Sequence, residues 1–255
     1  MVRRLRVVHV DHSTGRGGAE YSLARVLAHA RQGWDPVLAL PRGGESLGPF
    51  DGLRQTRALS IVRVGPAQDA GASTARSAAH LARFTVGIVS QAIALRFHRA
   101  FREGDIVHAN TSRAGIYAAL ACVGTRKRLV VHLRDMVDAQ ALGRVGEIGF
   151  RRLVLRRASG VIANSYATLA TATPHIAATT LTRVIPSAAG LTPRRRAAEQ
   201  PPQIRRVGMV ARIDPWKGQE LLLEAFSDVF AGTSVRLALA GAPEFGKEGY
   251  LARLR

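Results

Sequence analysis

Short apolar runs alternate along this chain with stretches in which apolar residues recur every three to four positions. The runs are LRVVHVD, PVLALP, SIVRV, DIVHA and RLVVHL, and helical spacing covers 21–32, 73–102 and 114–123. Such runs predict buried strands, and the three-to-four spacing predicts amphipathic helices. Strands separated by helices form a parallel sheet, so we expect an α/β fold whose ligands bind beyond the carboxyl ends of the strands.

The chain changes character after residue 190. Residues 191–206 are polar, basic and rich in proline, which predicts a linker between domains. A second strand, helix and strand series starts at 207 and reaches 255 with only two strands. Two parallel strands cannot bury both of their faces. We therefore expect domains at 1–190 and 207–255, the second incomplete, in a fragment of a longer polypeptide.

The composition predicts a cellular compartment and the kind of charged partner that the chain attracts. The 255 residues are 47% hydrophobic, which can fill a globular core. The single cysteine, Cys122, excludes a disulfide within the monomer, and no signal-peptide pattern opens the chain, so we expect a cytoplasmic protein. The net charge of +19 attracts polyanions such as nucleotide sugars, anionic lipid surfaces or nucleic acid. Aromatic residues are only 5%, without interleaved stacking motifs, which argues against nucleic acid.

A glycine-rich loop, STGRGGAE, follows the first strand and opens a helix. Gly17 and Gly18 let the backbone approach a ligand that a β-carbon would exclude. The loop is a poor dinucleotide fingerprint, because Glu20 stands where the third glycine would be and LPR ends the second strand. A nicotinamide cofactor is therefore disfavoured, although Arg42 could meet a ribose phosphate. The alternative is a tight turn that binds nothing.

A second candidate turn lies in VGMVARIDPWKGQELLLEAF, residues 207–226. It places Arg212 and Lys217 between a strand over 207–211 and a helix that starts at about Gln219. We expect Leu221, Leu222, Ala225 and Val229 to form the buried face of this helix. Two cations beside a helix N-terminus favour a phosphate ligand. A solvated basic turn is the alternative.

These motifs carry a resemblance to a known family. Arg212, the short gap and Lys217-Gly218 followed by LLLEAF resemble the donor-phosphate signature of GT-B glycosyltransferases, specifically the retaining family four. GGAE at 17–20, DIVHAN at 105–110, VVHLRD at 130–135 and GVIANS at 160–165 follow the order and approximate spacing of that family. The resemblance covers nearly the whole chain.

The resemblance implies a GT-B fold of two Rossmann-like parallel-sheet domains. It also implies transfer of a sugar, with retention, from a nucleotide-diphosphate sugar to a hydroxyl of a glycan, a lipid-linked glycan or a small metabolite. The donor is a substrate, so no cofactor is expected. Same-face attack would explain retention, and no enzyme nucleophile is then needed. The paired glutamates that hold the donor in the family have no counterpart here.

Individual residues take roles from the same resemblance. The donor phosphates would lie between Arg212, Lys217 and the loop of Gly17 and Gly18, and His132 would lie beside the transferred sugar. On the acceptor or sugar side we expect His108, Asn110 and Glu20. Both histidines have a structural role as the alternative. The crossover also departs from the family, because VIPSAAG replaces its usual Asn-Gly step at Ser187 and Ala188.

No Asp-x-Asp pair and no His or carboxylate cluster with metal-ligand spacing occurs in the sequence, so we expect no required metal. Basic residues recur along 73–102 and in FRRLVLRR, where Arg152 and Arg156 repel each other unless an anion lies opposite. Anionic lipid headgroups would serve, which allows a peripheral position on the inner face of the membrane. An ordinary solvated helix face is the alternative.

Two alternatives to an active transferase stay open. One is a non-catalytic basic module that binds an anionic membrane or nucleic acid. The other is a truncated, inactive glycosyltransferase fragment.

Overall fold

The computed structural model describes residues 4–30, 33–43, 45–54, 59–67, 78–188, 204–243 and 247–254. The strands are β1 (Arg6–Val10), β2 (Asp35–Leu40), β3 (Ser60–Arg63), β4 (Ile106–Ala109), β5 (Arg128–Leu133), β6 (Ala158–Ala163), β7 (Leu181–Val184), β8 (Arg206–Val210) and β9 (Arg236–Ala240). The α-helices are α1 (Gly18–Ala28), α2 (Ala78–Phe97), α3 (Arg99–Glu103), α4 (Ser112–Ala121), α5 (Ala139–Gly149), α6 (Tyr166–Ala172), α7 (Gln219–Phe230) and α8 (Glu248–Arg253).

Seven strands form one parallel sheet in the order β3-β2-β1-β4-β5-β6-β7. The α/β fold with a parallel sheet is thus confirmed. The chain builds outward from β1 to β3, returns to the other side of β1 with β4, and continues to β7. In a sheet of this kind the point where the direction reverses leaves a crevice beyond the carboxyl ends of the strands. Here that point lies between β1 and β4.

Two apolar clusters hold the sheet and its helices together. The larger cluster joins β1, β4, β5 and β6 to α2 and α4, with Tyr117 and Phe150 fully buried in it. The smaller one packs Leu23 and Leu27 of α1 against Leu38 and Leu40 of β2. Burial of whole aromatic and leucine side chains contributes about 1.5–3 kcal/mol each, so the strand ends stand on a rigid base.

The helix expected over 73–102 is divided. α2 ends at Phe97 and α3 begins at Arg99, because His98 is extended and its Nδ1 accepts a hydrogen bond from the Ala100 N–H at 3.1 Å. Ile88, Ala92 and Leu95 of α2 are buried, whereas Leu81 is exposed. The expected start at 73 lies outside the described residues. None of the described helices is both long enough and apolar enough to cross a bilayer.

The chain divides into two compact units, 1–191 and 192–255. Most of the expected linker over 191–206 lies outside the described residues.

In the second unit, β8 pairs in parallel with β9, and α7 begins at Gln219 as predicted. The predicted buried face of α7 is wrong, since Leu221 and Val229 are 70% and 69% exposed. A two-stranded sheet offers too little surface to cover that face.

Candidate functional site

Three neighbouring strands of the large sheet each end in a polar residue. Asp11 follows β1, Asn110 follows β4 and Arg134 follows β5. The Asn110 side-chain amide donates to Asp11 Oδ2 at 2.6 Å and to the Ala19 carbonyl at 3.1 Å. Asp11 and Asn110 are fully buried. The point where the strand order reverses is therefore lined by a connected polar network rather than by apolar packing.

Arg134 extends this network to α1 and to the segment after β7. Its Nη2 and Nε donate to Asn110 Oδ1 at 2.7 and 3.2 Å, and its Nη1 donates to Ser22 Oγ at 2.8 Å and to Ser187 Oγ at 3.1 Å. Burial lowers the pKa of Arg134 to about 10, against the opposing effect of the Asp11 and Glu20 carboxyls. The guanidinium is still charged at neutral pH and is the cation that compensates this group of carboxylates.

The glycine loop opens α1 and brings Glu20 to the same network. Gly17 is the N-cap of α1, and a β-carbon at Gly17 would lie 2.4 Å from Glu20 Oε2, so no larger residue fits there without moving that carboxylate. A β-carbon at Gly18 would meet nothing within 4 Å. The loop therefore has one glycine that makes room for Glu20 and one that borders open space.

Burial, and then the nearby Asp11, raise the pKa of Glu20 to about 7. A carboxyl in this environment titrates near physiological pH and can hold or release a proton there. This is the arrangement that acid–base chemistry requires, although structural networks perturb carboxyls in the same way.

The described residues bring Asp11, His12 and Glu20 together, with one ligand-type atom from each lying within 4.8 Å of the others. The sequence predicted no such cluster, because these residues lack metal-ligand spacing along the chain. The turn from β1 into α1 nevertheless brings them close together in space. His12 Nδ1 is also hydrogen-bonded to Thr111 Oγ1 at 2.8 Å, and Thr111 caps α4. Asp11 and His12 thus have protein partners, and independence from metal stays a prediction.

Three histidines lie in a row beneath this network. His9, His108 and His132 belong to β1, β4 and β5, are all buried, and make edge-on ring contacts with centroid distances of 4.9 Å for His9 and His108 and 5.8 Å for His108 and His132. Sequence analysis placed His108 and His132 beside the substrate. The structure places both within the sheet, and their functional roles stay predictions.

The hydrogen bonds of the row fix its protons. Trp34 Nε1, which can only donate, donates to His9 Nε2 at 3.0 Å, so neutral His9 carries its proton on Nδ1. His9 Nδ1 then donates to His108 Nδ1 at 3.0 Å, which leaves the His108 proton on Nε2. Burial lowers the pKa of His9 well below its usual value, that of His108 to about 4 and that of His132 to about 2. The row is neutral at pH 7.

The other predicted residues lie in the second unit. The half-buried Arg212 has its Nη2 3.6 Å from Asp214 Oδ2, and Gln219 Nε2 donates to the Arg212 carbonyl at 2.8 Å. Lys217 ends a short 3₁₀ turn, Pro215–Lys217, and its exposed ammonium lies 5.1 Å from the centre of the Trp216 ring. Gly218 follows with φ of 79°, a conformation that favours glycine, and α7 starts directly after it. The two cations thus precede a helix N-terminus, as predicted, and their ligand stays a prediction.

Sequence analysis missed Asp11, Arg134 and Ser22 as members of the network. A signal was present, since Asp11, Asn110 and Arg134 each occupy the first position after an apolar strand. Using it requires knowing that β1, β4 and β5 are neighbours, which the strand order reveals and the sequence pattern does not.

Replacing Glu20 tests its raised pKa. Between about pH 4.5 and 7 the folded protein holds a proton on Glu20 that the unfolded chain has lost, so wild-type stability falls as pH rises through this window. We expect Glu20→Gln to remove that loss. Above pH 7, its free energy of unfolding should exceed that of the wild type by up to about 3 kcal/mol. Denaturant unfolding of both proteins from pH 5 to 8 measures the difference.

The buried histidines affect both proteins equally, because their lowered pKa values remove stability as pH falls below about 6.5 in each. A difference between the two proteins that does not change with pH would contradict the assignment to Glu20.

Comparisons with known proteins identify the fold. No protein-family model and no curated protein sequence matches the chain. Among known structures, Anabaena Alr3699/HepE in complex with UDP-glucose is similar at 22% identity and a TM-score of 0.70, over 98% of this chain and 64% of that one. Sucrose-phosphate synthase from Thermosynechococcus elongatus is similar at 17% identity and a TM-score of 0.71, over 98% of this chain and 68% of that one.

A third structure is the lipopolysaccharide outer core galactosyltransferase WaaB, in its apo form. It is similar at 12% identity and a TM-score of 0.60, over 98% of this chain and 65% of that one. The chain therefore spans about two thirds of the length of these proteins and has their fold, the GT-B fold. The fold expected from the sequence is confirmed.

Proposed function

We propose that this chain, with its GT-B fold, belongs to a glycosyltransferase that takes a sugar from a nucleotide-diphosphate donor and transfers it, with retention, to a hydroxyl acceptor. The observation that carries the proposal is the polar network at the reversal point of the parallel sheet, in a fold that HepE shares in complex with UDP-glucose. Fold alone does not determine function, which depends on the chemistry of the site residues.

The donor diphosphate requires positive charge when it leaves. Arg212 and Lys217 supply two cations before the N-terminus of α7, and unpaired backbone N–H groups at that terminus add partial positive charge. Cations of this kind can stabilise the leaving group without a metal.

The first unit supplies the acceptor and sugar side. Glu20 can accept a proton from an attacking hydroxyl near neutral pH, since its pKa is about 7. Asn110 orients Asp11 and Arg134 through its hydrogen bonds. The histidine row next to them is neutral and adds no charge to the site. In this proposal His108 and His132 lie in β4 and β5 just before the strand ends. There they hold in place the polar residues that contact the sugar.

Thermal unfolding in the presence of candidate ligands tests this function. We expect UDP-glucose or another nucleotide-diphosphate sugar to raise the melting temperature, whereas NAD leaves it unchanged, because a ligand that binds only the folded state stabilises it. Tight, steeply salt-dependent binding of DNA or vesicles, without protection by any nucleotide sugar, would instead favour the basic binding module.

We further propose that α2 contacts an anionic bilayer surface. Val86, Ile93 and Phe97 are spaced seven and four residues apart, which places them on one side of α2, and they are 65%, 53% and 69% exposed. The helix contains no acidic residue, Arg83 is exposed three residues before Val86, and the chain carries a net charge of +19. An interfacial helix combines these features.

The double variant Ile93→Gln/Phe97→Gln tests this surface. We expect its binding to vesicles that contain phosphatidylglycerol to fall by at least about tenfold, because two apolar side chains no longer enter the interface. Leu221→Gln, which removes an equally exposed leucine from the second unit, is the control. Co-sedimentation measures both, and equal binding of the double variant and the wild type would contradict the assignment.

A further inference from the structure

A second concave site lies on the first unit, away from the polar network. It is a cavity of about 670 Å³ lined by Ile148, Arg151, Arg152, Arg156, Pro174, His175, Ile176 and Ala177. These residues precede β6 and β7 along the chain, so the cavity lies toward the amino ends of those strands. The polar network lies at the carboxyl ends. The two sites are therefore separate.

The lining of this cavity is basic. It contains Arg151, Arg152, Arg156 and His175 and no carboxylate. Arg151 is partly neutralised, since its Nη2 lies 2.6 Å from Glu147 Oε1 and donates to the Val137 carbonyl at 3.0 Å. In the described part of the chain, no carboxylate oxygen lies within 4.0 Å of a side-chain nitrogen of Arg152 or Arg156. Two exposed arginines thus share one cavity, and neither forms an ion pair with a carboxylate of the described residues.

The backbone here is also unusual. After α5 the chain continues as a π-helix, Phe150–Leu155. Its apolar side packs into the core, where Phe150, Val154 and Leu155 are buried. A π-helical turn is rare and is often found at functional sites. Arg152 and Arg156 are four residues apart, at the spacing of neighbours on a helix surface, where like charges destabilise the helix unless an anion lies between them.

The rest of the wall is apolar. Ile148, Pro174, Ile176 and Ala177 border the basic side chains, and the cavity falls within the range of about 300–1,000 Å³ that small-molecule sites occupy. A single phosphate would leave most of this volume empty. The lining fits a ligand with a phosphate or diphosphate end and a compact organic body.

We infer that this cavity binds a phosphorylated small molecule, with the phosphate between Arg152, Arg156 and His175 and the organic part against Ile148 and Ile176. Arginine suits this task because its planar fork donates to two phosphate oxygens at once. The proposal stands independently of the sugar-transfer function, because it uses none of the residues assigned to the donor or the polar network.

The test titrates the full chain by calorimetry with inorganic pyrophosphate and, separately, with monomeric short-chain phosphatidic acid. All titrations use the Lys217→Ala background, which weakens binding at the proposed donor site. We expect saturable binding of at least one probe, weakened at least about tenfold in Arg152→Gln/Arg156→Gln, as loss of charge-assisted hydrogen bonds requires. Arg157→Gln, an exposed neighbour that does not line the cavity, should bind like its parent.

The outcomes separate the possible sources of the phosphate. Tighter binding of pyrophosphate indicates a soluble metabolite, and tighter binding of the lipid indicates a phospholipid headgroup, and either supports the site. If neither probe binds, or if Arg157→Gln weakens binding as much as the double variant, the site is overturned. Circular dichroism of each variant shows that it is folded, so that lost binding reports the cavity.

Discussion

Lys217→Ala is expected to lower turnover with a matched nucleotide-sugar donor by about two orders of magnitude or more. The reason is electrostatic, because the departing nucleoside diphosphate gains negative charge in the transition state and Lys217 is proposed to stabilise it. Its position on a 3₁₀ turn directly before α7 aligns it with the helix N-terminus, which acts on the same anion. Release of nucleoside diphosphate in the presence of acceptor measures the rate.

Lys247→Ala provides the matched control for this experiment. It removes the same charge from the same unit, at the residue that precedes α8, and should leave turnover nearly unchanged. Equal rates for Lys217→Ala and the wild type would remove Lys217 from the donor site. A comparable loss in Lys247→Ala would show that the overall charge of the unit matters rather than one ammonium group.

Arg134→Ala is expected to lower the free energy of unfolding by about 3 kcal/mol or more, in the range seen when one partner of a buried charged network is removed. The variant takes away donors from Asn110 Oδ1 and Ser22 Oγ, and it leaves Asp11 and Glu20 without their compensating cation. The pKa of Glu20 should rise further, since Arg134 acts to lower it. Denaturant unfolding at pH 7 measures the loss of stability.

Arg144→Ala controls for the loss of an arginine, because Arg144 is exposed on α5 and should change stability by less than about 0.5 kcal/mol. Arg134→Lys keeps the charge but not the planar fork, and should fall between the wild type and Arg134→Ala. If Arg134→Ala is as stable as the wild type, the network at the strand ends is not held together by this residue.

The strands of the large sheet were predictable because buried parallel strands read as short apolar runs. Local sequence was enough to predict strands at VVHV, IVHA and LVVHL. Each run nevertheless contains a histidine, which interrupts a purely apolar pattern. His9 and His108 are tolerated because they hydrogen-bond to each other and His9 also accepts from Trp34, whereas His132 makes a ring contact with His108. Their pairing depends on strand order, which local periodicity does not contain.

The prediction of a buried face on α7 was wrong because local sequence does not show what packs against a helix. Leu221 and Val229 follow helical spacing, but spacing shows only that a helix has an apolar side and not that anything covers it. The break at His98 was also missed. A side-chain nitrogen that caps the next helix replaces the expected continuation, and histidine is not among the usual capping residues.

The candidate site was half predictable. Gly17, Glu20 and Asn110 lie in motifs that the sequence exposes, and Arg212 and Lys217 flank a strand-to-helix turn. The fork of Arg134 was not foreseen, because its partners Asn110 and Ser22 are 24 and 112 residues away in the chain. Long-range polar contacts of this kind follow from sheet topology, which only the folded structure provides.

The most direct measurement is a calorimetric titration of the chain with UDP-glucose, compared with Lys217→Ala. Our account predicts saturable binding of UDP-glucose, weakened at least about tenfold in Lys217→Ala, as loss of a charged hydrogen-bond donor requires. Heats that do not saturate at millimolar UDP-glucose and at millimolar concentrations of other nucleotide-diphosphate sugars, or equal affinities in the two proteins, would contradict it.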